Sequence, residues 1–215
     1  MGKDQLYETH RDRLFVRCIA GGHDNFKDTV HYPVCDFSLV LCCTILDDGK
    51  HEISSTFQKK DFENAGISGK DEIERVLSRM SQDDPPRLYN SPEMAGDPSF
   101  EQGVFMGTDR PRIPEACWPM LTTVRKKHGA VAFFYPGVAE RISELMGGNY
   151  LVVFTSTHEV RIHPDDPALV TDLCYRLLRT NELYNDPEDI LSKCIYRYSS
   201  KLKKLALIAE YKGSD

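Results

Sequence analysis

Apolar and β-branched residues run almost unbroken from Val34 to Leu46, Asp47-Asp48-Gly49 follows as a turn signal, and Glu52 to Phe57 can return as a partner strand. The pattern predicts a hairpin whose first strand, lacking a polar face, is buried. Lys59 to Ala65 with Gly66 behind it reads as a short helix and its stop. Asp71 to Met80 sets Ile73, Val76, Leu77 and Met80 on one helical face, so both helices can pack on the hairpin.

Later in the chain, Trp118 to Val124 and Ala130 to Phe134 read as strands joined by a turn containing Arg125-Lys126-Lys127. Pro136 suits the first position of a helix to Met146, which Gly147-Gly148 stops. Leu151 to Phe154 is a fully apolar strand, and Thr157 to Ile162 alternates as a strand buried on one face does. Asp166 and Pro167 start a helix with the apolar stripe Leu169, Val170, Leu173, Cys174, Leu177 and Leu178. Asp186-Pro187 predicts a short helix through Leu191, and Ile195 to Tyr198 with Leu205 to Tyr211 form a hairpin around Lys201 to Lys204. Helices and strands cluster instead of alternating. That order predicts an α+β protein with a mixed or antiparallel sheet built from hairpins and helices packed on it.

Seven prolines and three glycines between Asp83 and Pro119 predict an irregular connection over 83–119. It separates an N-terminal hairpin with helices, 1–82, from a C-terminal α+β part, 120–215, unless the two make one compact domain.

A length of 215 residues suffices to bury a core. The longest apolar run, Leu39 to Leu46, is broken by Thr44 and is far short of the roughly 18 residues of a membrane span. Met1 to Arg13 alternates charges where a secretory signal needs an apolar stretch, which predicts a cytoplasmic protein. The seven cysteines are odd in number, and Cys35, Cys42, Cys43, Cys174 and Cys194 lie in apolar runs, as reduced buried thiols do. There is no C-x-x-C pair, and adjacent Cys42 and Cys43 point to opposite faces of a strand, so no shared metal is expected. A net charge of −6 argues against a general nucleic-acid binder.

His158-Glu159-Val160-Arg161-Ile162-His163 superficially resembles the zinc-protease signature, but its histidines are five apart, not four, and its alternation is that of a strand. His158 and Glu159 then face opposite ways, while Glu159, Arg161 and His163 share a face as a solvated charged row. Ser156 and Cys117 lie in no nucleophile elbow. The pairs Asp47-Asp48, Asp83-Asp84 and Asp165-Asp166 sit at turns or helix starts, where aspartate bonds locally. Gly21-Gly22 and Gly147-Gly148 match no phosphate loop, and no cofactor is implied. Lys193, Arg197, Lys201, Lys203, Lys204 and Lys212 against Glu210 make the C-terminal stretch basic. Two helices and a hairpin there loosely fit a winged helix, with Tyr196 and Tyr198 able to stack on bases. The plainer reading is a lysine-rich turn that protects an edge strand.

The order of several segments carries a family resemblance. They are Arg11 to Ala20 leading into His31-Tyr32-Pro33-Val34-Cys35-Asp36-Phe37, the hairpin with Lys59 to Ile67, and Pro86-Arg87-Leu88. In the second half they are Gly129-Ala130 through Tyr135-Pro136-Gly137-Val138, Ser156-Thr157-His158-Glu159-Val160, and Ile195-Tyr196-Arg197-Tyr198. Together they resemble an uncharacterised bacterial family, a domain of unknown function common in anaerobic gut bacteria. The resemblance implies a cytoplasmic α+β protein and brings no activity, ligand or catalytic residue. Members of that family extend further at the N-terminus, so a sheet edge here is expected to be open to a partner or a second copy.

The sequence therefore reads as a non-enzymatic interaction or ligand-binding module whose partner is an unknown protein or itself, with no membrane contact. Two alternatives stand beside it: an enzyme using His158 and Glu159, and a nucleic-acid binder using Lys201, Lys203 and Lys204. Whether Tyr135, His158 and Glu159 line one concave pocket discriminates among them.

Overall fold

Strand patterns of the kind above need hydrogen-bonding neighbours, and the computed structural model of the chain shows where they come from. It describes residues 11–21, 23–47, 52–64, 66–91, 94–95 and 118–210. Asp48, Gly49, Ala65, Cys117, Tyr211 and most of the expected connection lie outside these. The fold is α+β, with antiparallel strand pairing throughout, in two compact units that divide between Asp83 and Asp84. No helix among the described residues is long and apolar enough to cross a membrane.

In the first unit the 11-residue strand β3 (Phe37–Asp47) pairs with β1 (Leu14–Ala20) along one edge and with β2 (His31–Val34) and then β4 (Glu52–Thr56) along the other. The expected apolar run is thus two strands, because Cys35 turns left-handed at φ 49° and reverses the chain between β2 and β3, which leaves Cys35 exposed and not buried as its apolar surroundings predict. Phe37 to Cys43 are buried, whereas Ile45 and Leu46 near the hairpin tip are exposed. Helix α1 (Lys59–Asn64) ends at Gly66, whose positive φ lets Gly66 N–H and Ile67 N–H reach the carbonyls of Glu63 and Phe62. Helix α2 (Gly69–Asp83) buries Ile73, Val76 and Leu77, and Arg79 caps the start of β1 through the carbonyls of Arg11 and Leu14.

The second unit is a six-stranded sheet in the order β10-β9-β7-β8-β6-β5. Its strands are β5 (Pro86–Tyr89), β6 (Met120–Thr123), β7 (Tyr150–Phe154), β8 (Val160–Pro164), β9 (Cys194–Ser199) and β10 (Lys204–Glu210). One side carries an aromatic layer in which Phe134 stacks on Phe154 at 5.9 Å and Tyr150 on Tyr198 at 5.0 Å. Each such pair contributes about 0.5–1.5 kcal/mol beyond the area it buries. The layer includes a 3₁₀ helix, Gly129–Phe134, and helix α3 (Val138–Met146) follows it, stopped by left-handed Gly147. The other side carries α4 (Val170–Leu183), whose Leu173, Cys174 and Leu177 pack on Leu151, Val153 and Ile195. Asp166 Oδ1 accepts from Ala168 N–H at 2.9 Å and Pro167 follows, so the helix starts where its cap predicts.

Further local expectations change: Pro136 lies in the turn before α3 and not at its first position, and Thr157 to Glu159 form a loop, so that β8 begins only at Val160. Strand β5 runs through what composition predicts to be irregular connection. Ala130 to Phe134 is helical because His128 is left-handed and Gly129 is pressed against the neighbouring loop, which coils the chain away from the sheet. Pro187 to Asp189 forms a turn, not a helix, because the Asp189 carbonyl accepts from Thr157 N–H at 2.9 Å and is diverted from helical pairing.

Candidate functional site

Strand β8 alternates, sending Val160 and Ile162 to the aromatic side and Arg161 and His163 to the α4 side. There Arg161 stands opposite Val153 on β7 and Met120 on β6, and His163 opposite Leu151. Because α4 sits over β7 and β9, a cleft of about 380 Å³ remains beside it. Its floor is Val153, Leu173 and Leu177, its rim Tyr175 and Tyr184, and its polar lining Thr155, Glu159, Arg161, His163, Arg176 and Arg179. Trp118, the only tryptophan of the chain, forms a wall.

These groups fix one another. Glu159 Oε1 accepts from Arg161 Nε at 3.1 Å, from Arg161 Nη2 at 2.7 Å and from Thr155 Oγ1 at 3.2 Å. The Arg176 guanidinium lies 4.2 Å over the Trp118 ring, while its Nε donates to Asp172 at 2.6 Å. Trp118 meets His163 edge-on at 5.5 Å. His163 is only 3% exposed, and its Nδ1 is buried without a hydrogen-bond partner among the described residues. Burial first, and then the charges of Arg161 and Arg176, lower its pKa to about 4 against a weaker opposing pull from Asp172. The imidazole is therefore neutral at pH 7. The expected solvated charged row is instead the wall of a cleft, because Trp118 covers it and α4 flanks it.

His158 and Glu159 do not act together. His158 Nδ1 accepts from His128 N–H at 2.9 Å, and Nε2 stands 3.1 Å from Asp189 Oδ1. The same aspartate oxygen accepts from Thr157 Oγ1 at 2.8 Å, and the His128 ring stacks on His158 at 5.5 Å. Both ring nitrogens are thus engaged in pinning the 155–159 loop. Tyr135 is 2% exposed and caps the C-terminal end of the 3₁₀ helix Gly129–Phe134. Of Tyr135, His158 and Glu159, Glu159 alone lines the cleft.

Lys201, Lys203 and Lys204 are exposed at the β9–β10 turn, with Lys203 Nζ 3.9 Å from Glu140. Arg197 is held bidentately by Asp165, its closest contact 2.5 Å. Tyr196 and Tyr198 are buried in the aromatic layer and present no face to a base. Three antiparallel steps separate β9 from β6, so Arg125 to Lys127 lie at the other end of the sheet and about 14 Å across it. The two basic turns do not form one patch.

Sequence reasoning missed Trp118, Arg176 and Arg179 as site residues. Two signals pointed to them: the tryptophan is unique, and the arginines fall three apart on α4, off its apolar stripe.

Residues 2–200 match the sequence profile of a family of unknown function, DUF5688. No curated protein and no solved structure matches the chain.

Proposed function

The chain belongs to that family of unknown function, and we propose that it is a non-enzymatic ligand-binding module whose working site is the cleft between α4 and β8. The observation that carries this reading is convergence. An apolar floor, an aromatic wall and a few oriented polar groups surround a volume within the roughly 300–1,000 Å³ typical of small-molecule sites. How the polar groups are used supports a binding role over catalysis. The Glu159 oxygen facing Arg161 already takes three hydrogen bonds, and His158 has no ring nitrogen left to serve as a base. We place the protein in a bacterial cytoplasm, which accords with the family resemblance and with cysteines buried as thiols.

Ligand-observed NMR on a fragment library tests the reading, with Thr180→Phe as the comparison because Thr180 lines the cleft from α4. Hits are expected on the native protein and are expected to vanish in the variant. A library without hits, or hits that bind the variant equally, would overturn it.

Self-association is a second reading, favoured by β10. This edge strand exposes Leu207 and Ile208, and antiparallel pairing of two copies about Leu207 sets Lys204 opposite Glu210. It ranks second because a bulge between Leu207 and Ala209 interrupts the edge where such pairing is centred. Light scattering after size exclusion, on the native protein and on Leu207→Lys, decides it: a dimer lost in the variant supports it, and a monomeric native protein sinks it.

A further inference from the structure

The cleft is chemically lopsided, and that narrows what fits it. Val153, Leu173 and Leu177 give the cleft an apolar floor, and the Trp118 ring, 40% exposed, adds an aromatic wall that rewards a weakly hydrated, aromatic body. Polar capacity is concentrated in the guanidinium groups. Arg161 commits Nε and Nη2 to one oxygen of Glu159, which leaves its Nη1 without a partner among the described residues. Arg176 commits Nε to Asp172 and lays its plane on Trp118, which leaves both Nη groups open. Arg176 lies 4.2 Å over the Trp118 ring, Trp118 meets His163 at 5.5 Å, and His163 and Arg161 share one face of β8, so both arginines line the cleft around Trp118. His163 adds a neutral ring rather than a third cation.

Arginine forks held this way recognise planar oxyanions. The carboxylates nearby limit the charge. Glu159 faces Arg161 at 2.7 Å, Asp172 faces Arg176 at 2.6 Å, and Glu182 lies 3.6 Å from Arg179. Each cation is therefore paired and the cleft has little surplus positive charge, so a dianion such as a phosphate monoester meets about twice the repulsion from these carboxylates that a single carboxylate meets. We infer that the ligand is a small aromatic carboxylate, its ring against Trp118 and its carboxylate bridging Arg176 and Arg161. The inference rests on the reading of this cleft as the working site.

Trp118 reports on it directly, since no other tryptophan contributes to the emission. The whole chain is titrated with benzoate and phenylacetate, with their neutral counterparts benzamide and phenylacetamide, with phenyl phosphate, and with acetate, following Trp118 fluorescence and calorimetric heat. The aromatic carboxylates are expected to change the emission and to bind at least tenfold more tightly than the amides, phenyl phosphate or acetate. Arg176→Gln, at a half-exposed helix position, is expected to abolish that preference while leaving the melting temperature nearly unchanged. Amides or phenyl phosphate binding as well as the carboxylates, or a preference that survives Arg176→Gln, would overturn the ligand class while leaving the cleft as a site. If none of these compounds perturbs Trp118 and the fragment library also yields no hit, the site reading falls with it.

Discussion

Nε2 of His158 stands 3.1 Å from Oδ1 of Asp189, and since His158 Nδ1 accepts from His128 N–H, the ring proton resides on Nε2 and points at the aspartate. Thr157 Oγ1 donates to the same oxygen. Asp189→Ala removes the acceptor of both groups, and stranding a buried donor costs about 1–3 kcal/mol. A melting temperature lower by several degrees is expected, at about 2–4 °C per kcal/mol for a chain of this size. Asp189→Asn keeps one acceptor and should lose less. Thermal scans by circular dichroism compare the two, and an unchanged Asp189→Ala would show that the loop is held by other means.

Gly129 leaves no room for a side chain. A Cβ there meets Thr122 Oγ1 at 2.1 Å, the His158 carbonyl at 2.5 Å and the Thr123 backbone nitrogen at 2.9 Å. Two of these are backbone atoms in a pinned loop and a strand, so Gly129→Ala should cost about 3 kcal/mol, the upper end for overpacking. Thr122→Ala should not rescue it, because the carbonyl remains. Gly137→Ala, with open space but φ at +78°, should cost only about 1–2 kcal/mol. Urea denaturation gives the rank order, and equal losses would contradict the close approach at Gly129.

His163 ties stability to acidity. Its folded pKa is depressed to about 4 from the ordinary 6.5, so between these values the unfolded chain binds a proton that the folded protein does not. Stability therefore rises with pH through this window and is lost as pH falls through it, by roughly 3 kcal/mol at most for a shift of this size. His163→Leu removes the titration. Unfolding free energies at pH 4.5 and pH 7.5 should differ less in the variant than in the native protein, and parallel pH profiles would sink the assignment.

Thiol reactivity should follow burial. Cys35 is exposed in the β2–β3 turn, whereas Cys18, Cys42, Cys43, Cys174 and Cys194 are buried. Desolvation raises the pKa of Cys18, Cys43 and Cys174 and so suppresses their thiolates. Brief alkylation of the native protein, mapped by peptide mass spectrometry, should modify Cys35 well before those five. Comparable labelling of Cys18 or Cys194 would mean that the sheets open readily.

Much of the fold is legible because it rests on short-range rules. The stripe from Leu169 to Leu178 and the Asp166-Pro167 start specify α4, the unbroken Leu151 to Phe154 specifies a buried strand, and Gly66 and Gly147 stop helices through left-handed backbone. Each depends on residues within about two turns of one another, so periodicity and caps suffice. The misreadings are places where a distant contact overrides local preference. Ala130 to Phe134 has strand composition, yet Gly129 is pressed against the His158 carbonyl, 29 positions away, and the chain coils. Asp189 follows a helix start, yet its carbonyl and carboxylate are claimed by Thr157.

By itself, the sequence determined the class of fold, the hairpins β3–β4, β7–β8 and β9–β10, the main helices and the alternation that puts Arg161 and His163 on one face of β8. Only the tertiary structure decided what that face meets. Trp118 is 45 positions from His163 and 58 from Arg176, and no local pattern encodes the register that brings β6 beside β8 or the packing that lays α4 over β7 and β9. A charged alternation reads identically whether water or an indole covers it. The burial that turns Arg161 and His163 from solvated residues into the lining of a cleft is set by the packing of the whole unit.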